Sequence, residues 1–236
     1  MRGSPFLIIR ELMSRWIRRA MFVTLLGVYS YTLWLMLRIT LEYIPIRSDV
    51  AFLAIKQDYV PMLHYRVAFF IHVFSAILVL PAGYTQFSKR MRSAYPALHR
   101  RMGWLYVLVT VILAAPSGLV IGFYSNGGPG SRVAFCLLAI LWEVFTLIAV
   151  VKICRRQVVE HERWMLRSFA LALSAITLRA WKVLLVWLFH PRPMDVYRIV
   201  AWLGWTLNLA IAEWLIYNRK HQKPRGKRPC QSESSF

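Results

Sequence analysis

The sequence predicts an all-α, polytopic transmembrane helix bundle of six spans, with both termini cytoplasmic (N-in/C-in). Three observations carry that prediction. Six apolar runs can be read, each near the roughly 20 residues that cross the hydrocarbon core. The composition is 58% hydrophobic and 17% charged, outside the range of ordinary soluble domains. Finally, 20 of the 30 Lys and Arg residues fall in segments that share one side once the N-terminus is placed inside, which is the positive-inside pattern.

Residues 1–20 read as a basic cytoplasmic lead-in, with Arg2, Arg10, Arg15, Arg18 and Arg19 beside Phe6, Leu7, Ile8 and Ile9. Such a segment can rest in the membrane interface. The six-helix domain occupies 21–218, and its first span, 21–40, is too long for a signal-peptide h-region and reads as a signal anchor. The outer connection 41–65 mixes Asp49 and Asp58 with Tyr43, Phe52 and Tyr59; a short interfacial helix and an ordered loop both fit. The second span is 67–88 and the third 103–123. Pro81 and Pro116 lie inside them and should bend them, either as packing kinks or to open space beside a ligand.

The 89–102 loop carries Lys89, Arg90, Arg92, Arg100 and Arg101, and is placed inside. YSNGGPGSR at 124–132 is a tight outer turn, because Gly and Pro punctuate it; it makes the third span and the fourth, 133–152, antiparallel neighbours. A second basic loop, 152–164, precedes the fifth span at 165–189, and the sixth follows at 199–217. The tail 219–236 is basic, polar and expected to be disordered.

The net charge of +20 is therefore orientation signal plus attraction to a lipid bilayer with anionic headgroups. Nucleic acid is excluded as a partner, since the basic loops carry no nucleic-acid module. Three cysteines, Cys136, Cys154 and Cys230, none placed outside, argue against structural disulfides.

Ionisable groups inside spans are the informative ones, because lipid penalises them. They are His72, Glu143, Arg167, Arg179, Lys182 and Glu213, with polar Asn208 near mid-depth. At 100° per residue a continuous fifth helix would align His161, Ser168, Ala175, Arg179 and His190 in one stripe facing the bundle. Depth pairs Arg179 with Glu143, Asn208 adding a hydrogen bond. That cluster is either a clamp between helices or a polar floor for an anion, a quinone or a cofactor propionate. Glu213 is expected to pair with Arg167 or with a loop arginine.

YPALHRRMGW and VEHERWML open the third and fifth spans from the same face, each with a histidine two residues before an arginine. His99 and His161 thus share a depth, as bis-imidazole ligation of haem b requires. Arg167 or Arg100 would then lie near the propionates. The competing reading makes each an interfacial hydrogen-bonding residue. An outer pair of His72 and His190 is mismatched by a turn or two. No zinc motif, nucleophile elbow, phosphate-cradling loop or two-carboxylate site can be read.

GYTQFSKRMRSAYPALHRRMGWLYV, APSGLVI, HERWMLRSFALALSAITLR and WLGWTLNLAIAEW, in that order, resemble the bacterial predicted membrane proteins of domain-of-unknown-function family twenty-three-oh-six. The resemblance covers about His72 to Trp214 and excludes the basic tail. It implies a bacterial cytoplasmic (inner) membrane protein, and no activity. It points to His72, Gln86, His99, Arg100, Gly103, Trp142, His161, Trp164, Arg167, Arg179, Asn208 and Glu213.

Three functional readings follow. The first is a b-type haem electron-transfer protein reducing a quinone or metal complex. The second is a small-solute or proton-coupled transporter lined by Glu143, Arg179 and Asn208, which with six spans would need a homodimer. The third is a non-catalytic assembly or interaction protein.

Overall fold

A computed structural model describes residues 5–87 and 89–221. The described residues form helices and connections with no strand. Helix α1 is Pro5–Leu41, α2 Leu63–Gln86, α3 Lys89–Ala94 and α4 Pro96–Leu108. A π-helical turn, Val109–Ala114, joins α4 to α5, Ala115–Phe123. Then come α6 Pro129–Cys154, α7 Val158–Ala172, α8 Ser174–Phe189 and α9 Pro193–His221. Five uninterrupted helical stretches are long and apolar enough to span a bilayer, and the bent pair α7–α8 makes six when taken as one span. The lead-in is continuous with the first span from Pro5 onward, whereas the tail beyond 221 lies outside the described residues.

The bundle therefore has a basic end, where α3, α4 and α7 begin, and an opposite end covered by the 42–62 connection. That connection is an ordered cap containing a short 3-10 turn, Ala51–Ile55. Tyr43, Leu53 and Val60 are buried there against Tyr65 and Phe69 of α2, and the Phe52 N–H donates to the Tyr43 hydroxyl.

In lipid, a buried polar group must find its partner inside the protein. The centre of the bundle obeys this through a closed ring of hydrogen bonds. Trp142 Nε1–H donates to Tyr106 Oη at 3.2 Å, and Tyr106 lies 2.8 Å from Ser168 Oγ. Ser168 is 2.7 Å from Thr146 Oγ1, whose own proton goes to the Trp142 carbonyl at 2.7 Å. An indole N–H only donates and a carbonyl only accepts. One consistent direction thus runs through all three hydroxyls, and the ring starts and ends on Trp142. It ties α4, α6 and α7 together at one height.

Close packing of backbones completes the bundle. The Phe169 ring lies on Gly83, where a Cβ would come within 2.2 Å of it, and Gly204 admits Leu178, whose Cβ a side chain would meet at 3.0 Å. Helix α1 stands at the edge, held to α2 partly by Tyr29 Oη donating to the Leu80 carbonyl at 2.9 Å.

The fifth span is not the continuous helix expected from its sequence. It breaks at Leu173 with a bend of 42° between α7 and α8. The polar groups at the break are met from α9: Asn208 Nδ2 donates to the Ala170 carbonyl at 3.1 Å and to Thr177 Oγ1 at 3.0 Å. Thr177 in turn donates to the Gly204 carbonyl at 2.6 Å. A broken helix is tolerated at membrane depth only when its polar groups are satisfied in this way.

Replacing Tyr106 by Phe should strand the Trp142 indole and take from Ser168 one of its two hydroxyl partners. Each buried unsatisfied group costs about 1–3 kcal/mol, so a loss of several degrees in Tm is expected in a detergent melt. An unchanged Tm would show that the ring contributes nothing.

Candidate functional site

From the basic end α4 and α7 run in the same direction, and they meet at the centre of the bundle through long side chains, Tyr106 with Ser168 and Tyr106 with Phe169. His99 precedes Tyr106 by seven residues, and His161 precedes Ser168 by seven. Seven residues fall within about 20° of two whole turns. The two histidines therefore occupy the same helix faces as the two bonded hydroxyls, about 10 Å nearer the basic end. His99 also lies within electrostatic reach of His161.

Their hydrogen bonds differ. His161 Nδ1 lies 2.8 Å from the Ala149 carbonyl, so it must carry the proton, and in the neutral ring Nε2 is left with a free lone pair. That arrangement fixes the tautomer and the orientation of the ring. His99 Nδ1 is buried and has no hydrogen-bond partner among the described residues. Its backbone is fixed by Gln86, whose Nε2 donates to the His99 carbonyl at 3.1 Å. Gly103 leaves room for that glutamine, since a Cβ there would sit 3.2 Å from its side-chain oxygen.

Cations surround the pair. Arg92 bonds Glu162, joining α3 to α7, and Arg100 is exposed. Arg167 stacks on Trp164 with its guanidinium carbon 4.5 Å from the ring centre. It also holds Glu213 through two parallel bonds, Nη2 to Oε2 being 2.9 Å. Of the two partners open to Glu213 in the sequence, the structure selects Arg167.

His72 lies on α2, toward the capped end. Its Nδ1 donates to the Ala114 carbonyl at 2.8 Å, inside the π turn that precedes Pro116. Gly118 lies against the ring, where a Cβ would come within 3.0 Å of it. His190 caps α8 in the left-handed conformation, with φ of 45°.

The expected Arg179–Glu143 pair does not form. After the bend α8 packs along α9 rather than α6, so Arg179 leaves the face that His161 and Ser168 occupy. Its Nη1 donates instead to the Ala175 carbonyl of its own helix at 2.6 Å. Glu143 makes no ion pair among the described residues, and Asn208 is engaged at the helix break. The stripe from His161 to His190 is thus cut in two, and the clamp between α6 and α8 is absent.

Lys56 of the cap belongs to no motif in the sequence. It is 2% exposed, donates to the Tyr124 carbonyl and to Asn126 Oδ1, and lies 4.9 Å from the Tyr59 ring centre. Burial, then the Arg132 charge, lowers its pKa to about 8 from 10.5. No spacing marks it, because its partners lie some 70 residues away.

With this geometry established, comparison with known families is decisive for one point. A family model described as "Predicted membrane protein (DUF2306)" matches residues 69–216. The chain belongs to the DUF2306 family. No curated protein and no solved structure matches it. The matched DUF2306 region contains His72, both basic-end histidines, the hydroxyl ring, the helix break and the Arg167–Glu213 pair. It leaves out α1 and the whole 42–62 cap, Lys56 included.

Lys56 sets a pH dependence. Its folded pKa lies below the unfolded one, so the unfolded chain holds the proton more tightly between about pH 8 and 10.5. Stability should therefore rise as pH climbs through that window. The Tm difference between wild type and Lys56→Met, followed from pH 7 to 10, should shift in favour of wild type; a constant difference would refute the assignment.

Proposed function

We propose that this chain is a redox protein of the cytoplasmic (inner) membrane of a bacterium, holding a b-type haem between His99 and His161. The observation that carries the reading is the common register of α4 and α7. The Tyr106–Ser168 bond sets their relative height and rotation, and one heptad below it both helices present an imidazole. Two histidines on facing helices are the donor set that bis-imidazole ligation needs.

The residues fit the group. His161 has its Nδ1 engaged by a backbone carbonyl, which leaves the opposite nitrogen free. His99 carries a buried ring nitrogen without a partner. Long side chains rather than direct backbone packing separate α4 from α7 at the ring. Arg100 supplies positive charge near the membrane surface for carboxylate substituents, with Arg167 already engaged by Glu213. Haem so held supplies one-electron transfer. The chain's part is to fix the imidazoles, keep bulk water from the site with Met102, Trp164 and Met165, and balance charge.

The visible spectrum of the purified protein, produced with haem supplied and recorded before and after dithionite, tests the reading. A Soret band with a low-spin reduced spectrum is expected. His99→Ala and His161→Ala should each lose the low-spin signature while His72→Ala retains it. Absence of a Soret band from folded wild type, or full retention in both variants, rejects the proposal.

A further inference from the structure

Arg179 is left without an acidic partner, and its surroundings indicate one. It lies in a crevice of about 440 Å³ between α1 and α8, lined by Thr32, Leu35 and Met36 on one side and Val183, Leu184 and Trp187 on the other. Apart from Arg179 and the Thr32 hydroxyl, the lining side chains are apolar. Arg179 forms no ion pair among the described residues, and its electrostatic surroundings include Tyr43 and His72.

The direction of the side chain is informative. Arginines near helix ends normally reach toward the interface. Arg179 does the reverse: Nη1 turns back one helical turn to Ala175, toward the break at Leu173 and away from His190. It lies eleven residues from His190, or about 16 Å along the helix. A guanidinium at such depth is costly in lipid, and one bond to its own backbone leaves its charge unbalanced.

We propose that this crevice binds a single-chain anionic amphiphile of the fatty-acid class, with its carboxylate on Arg179 and its chain along the α1–α8 walls. A planar guanidinium matches a carboxylate with two parallel bonds. A neutral head such as a quinone would leave the charge in place. A phospholipid headgroup is too bulky and too well hydrated to reach this depth, whereas a carboxylate on one acyl chain enters sideways from the bilayer. The site is separate from the two histidines, so it stands or falls independently of the haem reading.

The test uses the full chain in neutral detergent, with oleate as probe and oleyl alcohol and decylubiquinone as comparators. Oleate should raise Tm and bind at one equivalent per chain, with neither comparator doing so. Arg179→Gln should weaken oleate binding at least tenfold. Thr32→Trp fills the crevice from α1, leaves the arginine in place and should weaken binding equally; it carries the test if the Arg179 variant fails to accumulate. Equal stabilisation by oleyl alcohol, binding of decylubiquinone alone, retention of oleate by Thr32→Trp, or a crevice filled by a second copy of the chain without oleate would each overturn the proposal.

Discussion

The hydrogen-bonded ring that begins and ends on Trp142 is the interaction on which the rest of the bundle depends. Between helices in lipid there is little hydrophobic driving force, because hydrocarbon tails are as apolar as leucine. Position is set instead by close packing and by polar groups that have no alternative partner. Tyr106, Thr146 and Ser168 are each buried, and each accepts and donates once. Sliding α4 by one turn past α6 and α7 would break both bonds that Tyr106 makes. The ring thereby fixes the relative height of His99 and His161 without touching either.

A second polar group of contacts governs the other half of the molecule. The break at Leu173 is held by Asn208, Thr177 and the Gly204 carbonyl, and the absence of a Gly204 side chain lets α8 lie close to α9. The bend separates the functions of one apparent span. Its first half belongs to the core, through Ser168, Phe169 and Leu171. Its second half leans toward α1 and carries Arg179 into a crevice open to lipid. A straight helix would have directed that charge into the bundle.

The two ends of the molecule also differ in chemistry. The basic end gathers histidines, arginines and carboxylates whose charges are paired, as in Arg92–Glu162 and Arg167–Glu213. The opposite end is closed by an aromatic cap in which Tyr43, Tyr65 and Phe69 pack edge to face or tilted, and Lys56 bonds the chain at Tyr124 and Asn126.

Much of this was legible in the residues. Hydropathy fixed the all-helical class and nearly all the span positions, because every backbone group in hydrocarbon must be satisfied within its own helix. The shared HxR pattern placed His99 and His161 at one depth, since two helices entering from the same side count residues from the same surface. Depth left Glu213 with Arg167 or a loop arginine, and the structure pairs it with Arg167. What the sequence did not contain was the break at Leu173, where neither Pro nor Gly interrupts the helix and the cause lies on α9, some 35 residues away. Helical periodicity therefore carried Arg179 onto the wrong face and toward Glu143. Lys56 and the hydroxyl ring were equally silent, being built from Ser, Thr, Tyr and Lys residues whose partners come from distant elements. By itself the sequence determined which segments cross and how deep each charge lies; the tertiary structure alone decided which way each polar side chain faces, because facing depends on what the neighbouring helices leave unsatisfied.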